Sequence, residues 1–242
     1  MSENPDKYYI SDSIFYDFES GSFYKEMEID NDLIIKKITN SNFKEEFGDY
    51  GWDELDFLWN IELGEKFMLL DCGSHGDCLF HCLAEALNLH NICRKDISVL
   101  YDVETLRLKA SEEIIDDNFD FILQNYKIEK YENEFQGDWD PDTVTTKEQL
   151  RNELCKTGNN FWGDHIIIQL LSQSLKKNII VLNGDEDFEK LSLNRIESKG
   201  AKGNIIVYFE NNCHFKLVGE FNGKKIKTIF NKVPNNLLNL EN

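Results

Sequence analysis

Apolar and polar positions change their period along this chain, and the changes mark its elements. Phe67-Met68-Leu69-Leu70, ahead of Asp71, is a short unbroken apolar run and reads as a buried strand. From Cys78 the spacing becomes helical, with Phe80, Leu83 and Leu87 continuing one apolar face. The pattern predicts helices over 78–89, 102–117, 119–126, 147–156 and 164–176, with Asp102 and Thr146 as N-caps of the second and fourth. Runs of β-branched and aromatic residues predict strands at 179–182, 205–209, 214–218 and 226–230. Turn-like Glu210-Asn211-Asn212 and Asn222-Gly223 separate the last three, which reads as an antiparallel meander. Residues 132–146 and 183–203 read as long loops, and loops of that length are often functional. The expected class is α/β, with a small, mostly antiparallel sheet flanked by helices.

Residues 1–66 follow another pattern. They hold 17 acidic against 6 basic residues, more than half of the net charge of -19. They are also rich in aromatics, among them Tyr8, Tyr9, Phe15, Tyr16, Phe18, Phe23 and Tyr24. A disordered acidic tail would have few aromatics, so part of this segment is expected to pack on the main domain. The run from Trp52 to Trp59 reads as a short amphipathic helix. The expected division is an acidic extension over 1–66, a main domain over 67–220, and a C-terminal strand and tail over 221–242 with a frayed Asn-rich end.

Composition narrows the partners. Hydrophobic residues make up 41% of the 242 residues, enough for a substantial core. The acidic balance argues against nonspecific binding to nucleic acid or to an anionic membrane. No apolar run approaches the ~20 residues of a membrane-spanning helix. The opening residues lack a basic stretch followed by an apolar one, so no secretion signal is read. The six cysteines are therefore expected to be mostly free thiols in a reducing compartment. That compartment is the cytoplasm, a host's if the source is a virus or an intracellular parasite.

The candidate chemistry centres on Gly76-Asp77-Cys78-Leu79-Phe80-His81. Here a cysteine follows a glycine-containing turn where a helix begins. Free N–H groups and the positive end of the helix dipole favour a thiolate there, and the same N–H groups can donate to an oxyanion. His214, between Cys213 and Phe215, heads a late apolar strand. Cysteine at a helix start with histidine on a distant strand is the arrangement of a thiol hydrolase. Taken singly, Cys78 reads as a buried core cysteine and His214 as a structural strand residue. A metal site is the sharper rival, because Cys72, His75, Cys78, His81, Cys82, His90 and Cys93 crowd one window. That spacing lacks the two separated ligand pairs usual in structural zinc sites. His81 and Cys82 read instead as packed helix residues.

Three blocks follow one another across about residues 67–219. They are Gly76-Asp77-Cys78-Leu79-Phe80-His81 with Leu83-Ala84; Phe161-Trp162-Gly163-Asp164-His165 with Ile168-Gln169-Leu170-Leu171-Ser172 and Ile179-Ile180-Val181; and Cys213-His214-Phe215-Lys216-Leu217. Together they resemble the ovarian-tumour (OTU) type cysteine proteases, a deubiquitinase family. The first is similar to that family's Asp-Gly-x-Cys-Leu-Phe nucleophile motif. The second is similar to its Trp-Gly turn, helix and strand, and the third to its closing His-aromatic motif. Val218-Gly219 and the tail from Phe230 to Pro234 resemble members from large DNA viruses.

The resemblance implies an OTU-like cysteine protease fold and an OTU-like catalytic domain over 67–220. It implies hydrolysis of isopeptide bonds at the C-terminus of ubiquitin or a ubiquitin-like modifier, with no cofactor and no metal. Cys78 would be the nucleophile, His214 the base, and the N–H groups of residues 74–78 the oxyanion donors. The sequence departs from the family in two places. Where the family usually carries an acid, three residues before the nucleophile, stands His75. Where it often carries Asp or Asn, two residues after the histidine, stands Lys216. The group that orients His214 is thus open among Asn212, Asn211, Asp71 and Asp77. Asn212 is the first choice, being close in sequence and of the same strand parity as His214, and Asp77 is the alternative. The departures also motivate a rival reading, a catalytically inactive OTU-like module that holds ubiquitin. A zinc-stabilised structural protein is the third.

Overall fold

The computed structural model describes residues 6–48, 51–54, 66–184 and 192–238. The acidic N-terminal segment is a four-stranded antiparallel meander of β1 (Lys7–Tyr9), β2 (Ile14–Asp17), β3 (Ser22–Ile29) and β4 (Asp32–Lys37). Its buried face is aromatic. Tyr16 meets Phe18 and Phe23 edge-on, and Phe23 meets Phe47 of α1 (Phe43–Gly48). Phe43 and Phe47 both pack on Phe221, in the main domain. The expected packing of this segment on the main domain therefore runs through aromatic rings.

The main sheet is ordered β5-β6-β10-β9-β7-β8. Its strands are β5 (Trp52–Glu54), β6 (Phe67–Leu70), β7 (Asn178–Gly184), β8 (Ser192–Ile196), β9 (Asn204–Glu210) and β10 (His214–Phe221), with β11 (Ile226–Lys227) on β10 and β12 (Ile229–Phe230) on β9. All pairs are antiparallel except β7 with β9. The helices are α2 (Cys78–Ile92), α3 (Val103–Glu112), α4 (Asp116–Glu132), α5 (Lys147–Leu154), α6 (His165–Leu175) and the short α7 (Asn235–Leu238). Asp102 and Thr146 cap α3 and α5 by accepting from the N–H of Thr105 and Gln149. One apolar core joins α2, β10 and the N-terminal aromatics; a second, smaller one lies around Phe67, Ile180, Ile206, Val218 and Phe230.

Several expectations are corrected. The helix expected from Trp52 to Trp59 begins instead as β5, because Trp52-Asp53-Glu54 pairs with Leu70-Leu69-Met68; residues 55–59 lie outside the described residues. The extension expected over 1–66 thus supplies the main sheet with an edge strand. The tail from 221 adds β11 and β12 to the same sheet. The first of the two expected central helices stops at Glu112 and the second starts at Asp116. Between them Ile115 is extended, and its N–H donates to the Asn118 side chain (2.7 Å). The expected loop over 183–203 contains β8, whose only fully buried side chain is Leu193.

Trp52 is buried against Gly219, where an added Cβ would lie 2.5 Å from the indole. Trp52→Ala is expected to lower the unfolding free energy by about 3–5 kcal/mol, measured by urea denaturation, since it opens a cavity between β5 and β10.

Candidate active site

β6 ends at Leu70, α2 begins at Cys78, and the seven residues between them form the floor of the site. The turn needs left-handed backbone: Gly73 (φ 141°), His75 (φ 63°) and Gly76 (φ 85°) all have positive φ. A Cβ at position 76 would also lie 2.5 Å from the Gly158 carbonyl oxygen, so only glycine fits there.

Three groups meet over this turn. β10 lies between β6 and β9, antiparallel to both, so its first residue, His214, stands beside the chain leaving β6. His214 Nε2 lies 3.0 Å from Asp71 Oδ1, which also accepts the Gly73 N–H (3.2 Å). Cys78 faces the same strand start. The Phe215 amide lies near enough to the Cys78 sulfur to favour its thiolate, and the Cys82 thiol donates to the Phe215 carbonyl (3.4 Å). Two cysteines one helical turn apart thus clasp the residue that follows His214.

Asp71, one of four sequence candidates, is the carboxylate at His214. Asn212 is not: it sits with φ 53° in the turn after Glu210, before β10 begins, so the expected strand parity never applies. Among the described residues neither Asn211 nor Asn212 bonds to His214. Asp77 is engaged elsewhere. Its Oδ1 accepts from Arg107 Nε (2.8 Å) and Nη2 (2.5 Å), and its Oδ2 accepts the Gly158 N–H (2.7 Å). Lys216 donates to Glu210 (2.9 Å), which removes its charge from the site.

Arg107, which the sequence reading did not single out, is fully buried on the apolar face of α3. Besides Asp77 it donates to the carbonyls of Leu154, Gly158 and Phe161, and it stacks 4.1 Å from the centre of the Phe80 ring. Burial pulls its pKa down and Asp77 opposes the shift. A guanidinium with carboxylate and carbonyl partners stays charged. A charged side chain at a core-facing helical position was the signal available in the sequence.

Trp162-Gly163 forms a wall of the site. A Cβ at Gly163 would meet Leu79 at 2.7 Å and Phe215 at 3.0 Å, the residues that follow Cys78 and His214. Cys78, Trp162, Gly163, Phe215 and Asn212, with the carboxylates Glu129 and Glu134, line a cavity of about 270 Å³. A wider one of about 670 Å³, on the other side of the turn, is lined by Asp71, Asp77, Glu85, Asp102 and Glu104. The N–H groups of His75 and Gly76 find no acceptor among the described residues, which leaves them able to donate to an oxyanion. Among the described residues no group of three or more His, Cys, Asp or Glu side chains is placed to hold a metal ion. Cys72 and Cys82 lie side by side near Cys78, whereas Cys93 faces the Ile226 carbonyl.

Electrostatics differ from the expectation of a ready thiolate. Burial pushes the Cys78 thiol pKa up. The amides of Phe215, Leu79 and Cys78 itself pull it back, and the Asp71 charge adds to the rise. The raised value means that the thiolate forms later as pH climbs. In the substrate-free protein, alkylation of Cys78 by iodoacetamide is expected to be slower at neutral pH than that of free cysteine. Its rate should still be climbing above pH ~8.5, as read by peptide mass spectrometry; a plateau below pH 7 would contradict it. Arg107→Leu strands Asp77 as an unpaired buried carboxylate. It is expected to cost about 3–5 kcal/mol of stability in urea denaturation, with Arg107→Lys recovering only part.

The family model described as OTU-like cysteine protease matches residues 73–215, more than half of the chain. No curated protein matches the sequence. Similar solved structures include an ovarian-tumour domain in complex with ubiquitin, at 19% identity over 66% of this chain and 73% of that one, with TM-score 0.43. An OTU deubiquitinase from Wolbachia pipientis wMel matches at 13% identity over 72% and 96% respectively, with TM-score 0.45. The viral OTU domain protease from Taggert virus matches at 12% identity over 85% and 91%, with TM-score 0.40. With the nucleophile turn, the Trp-Gly wall and the closing histidine strand all inside the matched span, the chain belongs to the OTU-like cysteine protease family.

Proposed function

We propose that the protein is a thiol-dependent ubiquitinyl hydrolase that cleaves isopeptide bonds at the ubiquitin C-terminus. Cys78 is the nucleophile, His214 the general base and acid, and Asp71 the group that orients the imidazole. The observation that carries this reading is the Asp71–His214 hydrogen bond. It engages Nε2, so Nδ1 is the ring nitrogen left to exchange a proton. A histidine so oriented, one residue before the Phe215 amide that lies near the Cys78 sulfur, supports reading the two as a working pair.

The raised thiol pKa supports a first step in which the proton leaves as the new bond forms. Cys78 attacks as a thiol whose proton passes to His214 while the S–C bond forms. The free amides of His75 and Gly76 receive the negative charge that develops on the carbonyl oxygen. His214 then gives the proton to the departing lysine amine, leaving a thioester on Cys78. A water molecule, deprotonated by His214, attacks that thioester and releases the ubiquitin carboxylate and the free thiol. The cavity at Cys78 supports this substrate. Its lining by Trp162 and Gly163 beside Cys78 suits a slender, glycine-ended chain, and Glu129 and Glu134 suit the basic residues of a ubiquitin tail.

The departure at Lys216 does not favour an inactive module, because Asp71 occupies the orienting role from another strand and Lys216 is paired with Glu210. The experiment is reaction with ubiquitin carrying an electrophilic C-terminus, beside hydrolysis of ubiquitin dimers. The intact chain is expected to form a covalent adduct that Cys78→Ala abolishes. Asp71→Ala is expected to lower kcat/KM by about 10²-fold or more, while Asn212→Ala leaves it nearly unchanged. A folded, intact chain that forms no adduct and cleaves nothing would sink the proposal.

A further inference from the structure

β4 is the outermost strand of the N-terminal sheet, and no strand lies beside its outer edge among the described residues. The β3–β4 turn determines which groups face that edge. Asp30 and Asn31 both have positive φ (52° and 66°), which makes a two-residue type I′ turn. Ile29 and Asp32 close it as a hydrogen-bonded pair, and bonding alternates from there. Asp32, Ile34 and Lys36 bond back to β3, whereas Leu33, Ile35 and Lys37 point their N–H and C=O outward. The far side of β3 agrees: Glu26, opposite Ile35, donates its N–H the other way, to Ser13 (2.8 Å). The Lys37 carbonyl accepts from the Asn42 side chain (3.2 Å). The outward groups of Leu33 and Ile35 have no partner among the described residues.

The side chains on this edge are apolar and solvent-facing. Leu33 is 67% exposed, Ile34 40% and Ile35 48%. Soluble proteins avoid a free edge with three adjacent apolar residues, because it templates pairing with another chain. We propose that β4 pairs antiparallel with β4 of a second copy, in a register centred on Ile34, to make a two-fold symmetric dimer with one continuous sheet.

The strand's own sequence selects that partner and that register. Residues opposite one another in an antiparallel pair point to the same face, so a two-fold pairing sets one residue against its own copy. With Ile34 at the axis, Leu33 lies opposite the second copy's Ile35. Both are outward-bonding positions, and they exchange two main-chain hydrogen bonds on each side of the axis. Asp32 then lies opposite the second copy's Lys36, so opposite charges meet at both ends of the apolar stretch. Lys36 already pairs with Glu46 but is 43% exposed, and its ammonium has donors to spare. With Ile35 at the axis, Leu33 would face Lys37, whose carbonyl is already taken, and Asp32 would face no lysine. The sequence Asp-Leu-Ile-Ile-Lys-Lys is self-complementary in the Ile34 register, and the occupant it fits is another copy of itself.

Sedimentation equilibrium of the full chain tests this. Twice the chain mass is expected for the unmutated protein. Ile35→Pro removes an outward N–H that β3 does not use, so the fold tolerates it while pairing is lost, and the mass is expected to halve. Ile34→Cys, in a Cys213→Ser background, gives an answer independent of any folding defect. Cα atoms of a non-hydrogen-bonded pair lie about 4.5 Å apart, within disulfide reach. Oxidation is expected to crosslink this variant to its own copy and to leave Leu33→Cys uncrosslinked. A monomeric unmutated chain, a dimeric Ile35→Pro, or equal crosslinking at positions 33 and 34 would each overturn the proposal. So would a monomer whose β4 edge is protected only when ubiquitin is added, since the edge would then belong to the substrate.

Discussion

The site depends on one buried ion pair, between Arg107 and Asp77. Asp77 immediately precedes Cys78, where an acidic residue would ordinarily cap a helix by accepting from its first amides. It makes no such bond. Arg107 and the Gly158 amide hold its carboxylate instead, so the turn before Cys78 is fixed from beneath while the amides of His75 and Gly76 have no acceptor among the described residues. The same guanidinium collects carbonyls at 154, 158 and 161, tying the end of α5 and the approach to Trp162-Gly163 into the same knot. Three segments far apart in sequence are thereby set around Cys78 by the rigid fork of one arginine. A buried pair of this kind adds little net stability over an apolar replacement. Its value here is geometric.

The register of β6 against β10 does the rest. Leu70 lies opposite Leu217, so Asp71, the next residue after β6, leaves the sheet at the end where β10 begins with His214. A one-residue slip would turn every side chain on β6 to the other face and take the carboxylate away from the imidazole. The cost of bringing Asp71 so close falls on the thiol, because a nearby negative charge disfavours a thiolate that burial already disfavours. A raised thiol pKa fits the proposed attack, in which His214 takes the proton as the bond forms.

What could be read from the sequence divides along these same lines. Cys78 and His214 were legible because each sits in a local pattern, a glycine turn before an amphipathic helix and the head of an apolar strand. Asp71 lies 143 residues from His214, and its role depends on a strand pairing that no local pattern states. It was therefore one of four candidates, behind the nearer Asn212. Arg107 escaped notice because arginine on an amphipathic helix ordinarily faces water. The N-terminal sheet left little signal, since β4 is exposed throughout and shows no alternation. From Trp52 onward, acidic and apolar residues alternate loosely enough to suit either a helix or a strand, and only the pairing with Leu70 decides for the strand.

The place where the N-terminal sheet joins the domain bears on what it can do. Glu46 of α1 is buried between Lys25 of β3 and Lys36 of β4. Burial pushes its carboxyl up, but the two ammonium groups outweigh that and hold it below its ordinary value, so it stays charged. That bridge fixes the sheet to α1, and α1 packs by Phe43 and Phe47 on Phe221. Phe221 ends the strand that His214 begins, seven residues on, or roughly 23 Å at the rise of an extended chain. Tyr16 makes a second attachment, to the Cys93 carbonyl just beyond the C-terminal end of α2, while Cys78 starts that helix. Both fastenings are remote from Cys78. None of the described residues of that segment lines the cavity at Cys78, so pairing along its outermost strand would leave that cavity open.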